Sequence, residues 1–169
     1  GCWFCLSNPN VEEHLVVSIG EHYYLALAKG GVTRDHLLII PIEHSPSMES
    51  TNEAAVEELE KFKSALVSCY QKQEMEVIFW ERKLDAPQNQ PASAADKNHA
   101  QLQALALPKD SMPKVRSGFD SQLEHFGLLF LTLEPTQVIS TLTGQTGYLF
   151  VDMPSPIDPT AEVSPLPTR

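Results

Sequence analysis

One amphipathic helix is the feature that most restricts the fold of this 169-residue sequence. Residues 47–73 read SMESTNEAAVEELEKFKSALVSCYQKQ, and the apolar side chains in this segment recur every three or four positions. They form one helical stripe, which consists of Val56, Leu59, Phe62, Leu66 and Cys69. Ser50 and Glu53 have the spacing of a capping box, which predicts that the helix begins near Thr51.

The stripe leads to two expectations for individual side chains of the helix. Cys69 lies on the apolar stripe, so we expect its thiol to be buried as a small hydrophobic group. Glu57, Glu58 and Glu60 should form a solvated face on the helix surface.

The segments on either side of the helix have strand patterns. Leu15–Ile19 and His22–Ala28 are apolar and aromatic runs separated by Gly20 and Glu21, which indicates a tight hairpin. The string HLLIIP follows as a third strand that ends at Pro41, and EVIFWE returns to strand character after the helix. This order predicts an α+β fold with an antiparallel sheet.

A further strand is predicted in the string HAQLQALALP, residues 99–108, where small or apolar residues alternate with polar ones. One face of this strand carries Ala100, Leu102 and Ala104. The other face carries His99, Gln101 and Gln103, and it is polar and regular.

The remaining segments give weaker signals. LEHFGLLFLTL and GYLFVDM are expected to be strands, with a short helix at PTQVISTL between them. The polar segment DAPQNQPASAADKN is predicted to be an exposed loop, and the proline-rich residues 152–169 an extended tail. These signals divide the chain into residues 1–108, 109–151 and 152–169.

The charge of the chain argues against a general nucleic-acid-binding surface. It has 12 basic and 22 acidic residues, a formal net charge of −10, which is the wrong sign for binding phosphate backbones by counterion release. No run approaches the roughly 18 apolar residues of a membrane span, and no export signal is visible at the start, so we expect a soluble protein. A start at Gly1 with no methionine indicates a segment of a longer chain.

The CxxC pair of Cys2 and Cys5 allows three interpretations: a redox pair, half of a metal site, or hydrophobic core. Three cysteines are too few for the disulfide framework of a small secreted protein, which points to a reducing compartment. A redox pair should open a helix, but LSNPN after Cys5 is a turn. A zinc site needs two more ligands from distant segments. The candidates are His14, His22, His36, His44, His99 and His125.

Two strings resemble the histidine-triad (HIT) superfamily. DHLLIIPIEH is similar to its strand with a terminal proline and following histidine, and HAQLQAL occupies the place of its HxHxHxx signature. The segment CWFCLSNPNVEEHLVVSIGEHYYLALAKGGVTRDHLLIIPIEH more narrowly resembles the start of the C-terminal region of CwfJ-type splicing factors, in the branch associated with lariat debranching. The likeness is dense over residues 1–83 and 98–108. It implies a HIT-like half-barrel sheet with one long helix over residues 1–108, and a partial or divergent second CwfJ region over 109–151.

The resemblance also implies a set of zinc ligands. In zinc-containing HIT relatives the metal is held by both CxxC cysteines, the histidine after the strand that ends in proline, and the first signature histidine. Carried over by position, these are Cys2, Cys5, His44 and His99. Four protein ligands leave no position for a catalytic water, so the zinc is expected to be structural.

The same resemblance implies a pseudoenzyme. HIT enzymes use the middle signature histidine as a nucleophile towards a nucleotide phosphorus, and Gln101 stands at that position, with Gln103 replacing the third histidine. An amide nitrogen is not basic and cannot carry a nucleotidyl group. We therefore expect a ligand pocket of Gln101, Gln103, His36 and Arg82 that binds a nucleotide or RNA without turnover.

Two alternatives stay open for this strand. Both glutamines are also explained as ordinary solvent-facing residues. As an enzyme, the protein would be a nucleotide or RNA phosphodiesterase that uses His36, His99 or another base.

The family resemblance implies a nuclear function in pre-mRNA splicing, at the late spliceosome or on the excised intron lariat. The partners it implies are spliceosomal proteins, the lariat debranching enzyme and RNA, with no membrane partner.

Overall fold

One antiparallel sheet organises the part of the chain that the computed structural model describes, residues 2–83, 98–134, 137–145 and 147–154. Its strands are β1 (Val16–Ile19), β2 (Tyr23–Leu27), β3 (Leu37–Pro41), β4 (Met75–Lys83), β5 (Leu102–Pro108) and β6 (Tyr148–Asp152). They lie in the order β1-β2-β3-β5-β4-β6, and every neighbouring pair is antiparallel. The helices are α1 (Glu53–Gln71), α2 (Met112–His125) and α3 (Val138–Leu142), with 3-10 turns at Glu13–Leu15 and Lys109–Ser111. The α+β class and the antiparallel sheet are confirmed.

The two faces of the sheet are covered by different parts of the chain. Alternate side chains of a strand point to opposite faces, so neighbours such as Tyr23 and Tyr24 belong to separate apolar clusters. On one face, α1 packs Leu66 against the sheet. On the other face, Phe4 and Leu6 of the N-terminal segment cover the sheet. The N-terminal segment is therefore part of the packed structure.

Helix α1 begins two residues later than the capping box predicts. Its N-cap is Asn52, whose side-chain oxygen accepts a hydrogen bond from the backbone N–H of Ala54 at 3.0 Å. The Ser50 hydroxyl instead accepts from the backbone N–H of Asn52 at 3.2 Å. Asparagine is among the strongest N-cap residues, which explains why the helix begins at Glu53.

Two side-chain predictions for α1 are wrong. Cys69 is exposed, because it lies about 60° around the helix axis from the buried Leu66, at the margin of the buried face. Glu58 is half-buried and makes specific contacts: its carboxylate accepts hydrogen bonds from the backbone N–H groups of Glu21 at 2.9 Å and His22 at 2.8 Å. Glu58 therefore attaches the β1–β2 hairpin turn to the helix.

The predictions for the C-terminal third have mixed outcomes. The predicted strand at residues 123–133 is wrong, because helix α2 continues to His125 and residues 128–134 form no strand. The short helix α3 and strand β6 are confirmed. Of the predicted loop at 85–98 only Asn98 is described, and of the predicted tail only residues 152–154. The division at residue 108 stays a prediction, although β6 pairs with β4 of the first segment.

Within the described residues, no helix has both the length and the apolar character that crossing a membrane requires.

Candidate metal centre

The sheet brings two histidines together at the adjacent ends of β3 and β5. These strands are antiparallel neighbours, with Ile39 opposite Leu102, so the end of β3 and the start of β5 lie at the same edge. His44 follows β3 and His99 precedes β5. The backbone N–H of Ala100 donates to the Ser45 carbonyl at 2.7 Å, which holds the two segments side by side.

The N-terminal turn carries both cysteines to the same edge. The Asn8 side-chain amide donates to the Cys2 carbonyl at 2.8 Å, and the Asn8 backbone N–H donates to the Cys5 carbonyl at 2.9 Å. The Tyr24 hydroxyl donates to the Phe4 carbonyl at 2.6 Å, which fixes the turn to strand β2. These bonds place the CxxC pair on the sheet without a helix, which is unlike a redox site that opens a helix.

The potential ligand atoms of Cys2, Cys5, His44 and His99 all lie within 4.8 Å of one another. The His99 Nδ1 is 3.3 Å from the Cys2 Sγ and 3.7 Å from the Cys5 Sγ. The His44 Nδ1 is 3.3 Å from the Cys5 Sγ. In a tetrahedral zinc site, usual bond lengths put sulfur and nitrogen ligands about 3.6 Å apart. The four side chains therefore fit a tetrahedral metal ion, and the cluster could hold one.

The environment favours the neutral imidazole of His99, which is the form that binds metals. His99 is buried, and burial lowers its pKa, with a further lowering from His44. Its Nε2 lies 2.7 Å from the Pro41 carbonyl oxygen and donates a hydrogen bond to it, which raises the pKa and leaves Nδ1 for the cysteines. A backbone partner of this kind orients metal-binding histidines in general.

The proximity of the Cys2 and Cys5 thiols also favours a bound cation between their sulfur atoms. Burial raises the pKa of Cys5, and the neighbouring Cys2 raises it further. Two adjacent thiolates repel each other unless a positive charge lies between them, and a bound metal ion supplies that charge. The donor set of two sulfurs and two imidazole nitrogens is typical of structural zinc.

A cavity of about 420 Å³ lies beside this cluster, on the sheet face opposite α1. Its lining includes His99 and three of the four predicted pocket residues, Gln101, Gln103 and Arg82. The fourth, His36, is buried and does not line the cavity, but its ring lies 5.4 Å from that of Trp80, which does. Phe4 and Leu149 form part of the apolar wall.

Sequence reasoning missed Glu81, a buried carboxylate that organises this region. It accepts hydrogen bonds from the backbone N–H of Met48 at 2.8 Å and from the Tyr148 hydroxyl at 2.9 Å. These contacts join β4, the loop between β3 and α1, and β6. The sequence pattern could have indicated that Glu81 is buried, since it continues the core-facing alternation of Val77 and Phe79.

Comparisons with known proteins agree with the N-terminal resemblance. A family model described as "Protein similar to CwfJ C-terminal" matches residues 1–120. The chain is 34% identical over 153 residues to the CWF19-like protein 1 homolog of Drosophila melanogaster, which covers 90% of this chain and 26% of that protein. It is 42% identical over 107 residues to human CWF19-like protein 1, and this match covers 63% of this chain and 18% of that protein.

A plant relative gives a similar match. The chain is 38% identical over 134 residues to Zinc finger CCCH domain-containing protein 59 of Oryza sativa subsp. japonica, covering 79% of this chain and 20% of that protein. The chain thus spans about a quarter or less of the length of these relatives. With a family model that matches more than two thirds of its residues, the chain belongs to the family of proteins similar to the CwfJ C-terminal region.

Proposed function

We propose that this chain is a HIT-like module of a pre-mRNA splicing factor, held together by structural zinc and without phosphoryl-transfer activity. It acts in the nucleus, at the late spliceosome or on the excised intron lariat. It binds spliceosomal proteins, with the lariat debranching enzyme as one candidate, and it binds nucleotide or RNA phosphate in the cavity beside the metal cluster. Family membership supports the splicing role.

One observation carries the proposal. The four predicted zinc ligands lie together, and the side-chain amide of Gln101 follows His99 two residues later on the same segment. His99 faces the cysteines at 3.3 and 3.7 Å, and Gln101 lines the cavity two residues later. This arrangement supports a metal role for the first signature position and a ligand-binding role for the second. Zinc would join the N-terminal turn to the ends of β3 and β5 and so contribute to folding.

Neither histidine named for the phosphodiesterase alternative offers a free ring nitrogen to the cavity. His99 is the one histidine in the lining of the cavity, and both of its ring nitrogens have neighbours, the cysteines at Nδ1 and Pro41 at Nε2. His36 is buried behind the lining. General base catalysis needs a nitrogen within hydrogen-bond reach of the attacking group, so these contacts favour binding without turnover.

Metal analysis of the purified chain tests the zinc site. We expect one equivalent of zinc in the wild type, lost together with thermal stability in Cys5→Ser and in His99→Ala. Cys69→Ser is the matched control, because Cys69 is exposed and outside the cluster, and it should keep the zinc. Zinc that survives His99→Ala would refute the ligand set and the alignment that places Gln101 at the nucleophile position.

An activity assay separates the binding module from the enzyme. Incubation with nucleotides and with branched RNA should give no product above the rate of a heat-denatured sample. Turnover that disappears in His36→Ala, in protein that stays folded with zinc bound, would favour the phosphodiesterase, because His36 lies outside the metal cluster.

A further inference from the structure

Strand β4 is only partly covered by its outer neighbour β6. The ladder between them begins at Phe79, which pairs with Asp152, and continues to Lys83. Residues Met75–Ile78 of β4, here called the free edge, pair with β5 on one side. On the other side they have no backbone partner among the described residues. Because backbone N–H and C=O groups need hydrogen-bond partners, such an edge is a template for a further strand.

Pro154 stops β6 from extending along the free edge. It follows the strand closely, and a proline has no N–H to donate to a ladder. The Pro154 carbonyl oxygen already accepts a hydrogen bond from the Arg116 side chain of α2 at 3.0 Å. Strand β6 therefore ends at Asp152, before it reaches the residue opposite Ile78.

A groove of about 380 Å³ lies between α1 and the free edge. The apolar part of its lining includes Val67 of α1 together with Val77 and Phe79 of β4. Val77 and Phe79 belong to the apolar cluster on the α1 face of the sheet, so the groove is separate from the cavity beside the metal cluster. The volume is within the range of known ligand pockets, and the groove can take an apolar side chain.

The charged side chains of the groove are mainly acidic. Three carboxylates line it, those of Glu60, Glu76 and Asp152, together with one amine, that of Lys63. Lys63 is already paired with Glu60 at 3.0 Å and with Asp152 at 2.8 Å. Glu76 forms no ion pair within the described part of the chain. The excess of negative charge favours a cationic ligand.

An extended peptide with lysine or arginine side chains matches these three features. Its backbone can pair with the free edge, an apolar side chain can enter the groove, and a cation can pair with Glu76. At about 3.4 Å per residue, the free edge admits a strand of roughly four residues.

Other occupants lack the complementary charge. A second copy of this chain has a formal net charge of −10 and repels the first. RNA is anionic as well. Residues 155–169 carry two carboxylates and one arginine. A basic segment of a different protein is therefore the best match for the groove.

We propose that the groove beside Met75–Ile78 is a docking site for an extended basic segment of a partner protein, which adds a strand to the sheet at the free edge. This inference rests on the proposed function for the role of the chain in binding proteins. It adds the place of that contact and the chemistry of the segment.

An NMR titration of the isotope-labelled 169-residue chain tests the proposal with two synthetic peptides at low ionic strength. These are acetyl-Lys-Val-Lys-Val-Lys-amide and acetyl-Glu-Val-Glu-Val-Glu-amide, which have the same length and the same apolar residues. We expect the lysine peptide to bind about tenfold more tightly, because its charge complements the groove, and to shift the backbone amide signals of Met75–Ile78.

N-methylated versions of the lysine peptide test the strand pairing. Alternate N–H groups of a strand point to opposite sides, so methylation of either the valines or the lysines should remove the donors that face β4. One of the two versions should bind about tenfold more weakly, since it loses several backbone hydrogen bonds. Full binding by both versions would overturn the addition of a strand.

A charge reversal in the chain tests the groove itself. Glu76→Lys should abolish the preference for the lysine peptide, because it cancels the negative excess. Glu13→Lys is the matched control, since Glu13 is exposed and precedes β1 at the opposite edge of the sheet, and it should retain the preference.

Three results would overturn the inference: equal binding of the two peptides, shifts that leave out Met75–Ile78, or dimers of the free chain that form through these residues. The zinc content of the same sample keeps the two proposals apart. A chain that holds zinc but gives one of these results refutes the docking site alone. A chain without zinc that binds the lysine peptide at the free edge contradicts the proposed zinc module and supports the docking site.

Discussion

The contact between Glu58 and the β1–β2 turn gives a sharp test of how the helix and the hairpin are joined. The Glu58 carboxylate accepts backbone hydrogen bonds at 2.9 and 2.8 Å, one exposed and one partly buried. A net value of about 1 kcal/mol for each bond gives roughly 2 kcal/mol for the pair. Glu58→Ala should therefore lower the unfolding free energy by about 2 kcal/mol, or the melting temperature by about 4–8 °C.

Gly20 makes a double-mutant cycle possible. A Cβ at Gly20 would lie 1.6 Å from the Glu58 Oε1, so Gly20→Ala must displace the carboxylate from both donors. We expect Gly20→Ala to be unfavourable by about 2 kcal/mol in the wild type, because it removes these two bonds. In the Glu58→Ala background it should be much less unfavourable, because the contact that remains is the Tyr23 carbonyl oxygen at 3.1 Å, so the double variant should lose clearly less than the roughly 4 kcal/mol of additive effects.

Urea denaturation of the four proteins measures the cycle, with Glu57→Ala as a control. The Glu57 side chain pairs with Lys61 at 2.7 Å on the exposed face, so its loss should leave the urea midpoint close to that of the wild type. Additive effects of Gly20→Ala and Glu58→Ala would refute the reasoning, because they would mean that the carboxylate does not occupy the space beside Gly20.

Three further variants test other contacts. Burial raises the pKa of Glu81 in the folded chain, so the stability from this group is present below its unfolded pKa and is lost as pH rises through the folded value. In urea denaturation, Glu81→Gln should therefore become more stable relative to the wild type as the pH rises above the ordinary pKa of a glutamate. Asn52→Ala removes the N-cap of α1 and should lower the unfolding free energy by about 1 kcal/mol in the same assay. Cys69→Ser changes an exposed thiol, so calorimetry should show a change within about 0.5 kcal/mol, and a larger loss would mean that the thiol is packed.

The strands and α1 were predictable because their side chains repeat with the period of the structure. The predicted third strand and the observed β3 both end at Pro41, and Leu102 and Ala104 are buried on the predicted face. The convergence of His44 and His99 could not be predicted from spacing, since it depends on β3 and β5 being neighbours. The family resemblance supplied that pairing.

The wrong predictions fall in segments whose local sequence pattern is compatible with more than one structure. Ser50 and Asn52 are both good N-cap residues, and the structure uses the second. The apolar run after His125 has strand composition, but within the described residues it has no strand partner, and side chains such as Leu129 are exposed. The role of Glu58 was missed because a carboxylate on a helix surface gives no sign of a loop that packs against it.

The distance along the chain between the metal-ligand candidates has a consequence for synthesis. Cys2 and His99 are separated by 97 residues, and Cys5 and His99 by 94. At translation rates of about 5–20 residues per second, both thiols emerge roughly 5–20 s before the imidazole that completes their cluster. During that interval the nascent chain exposes an unmatched thiol pair, so metal capture or protection from oxidants at the ribosome would affect the yield of folded protein.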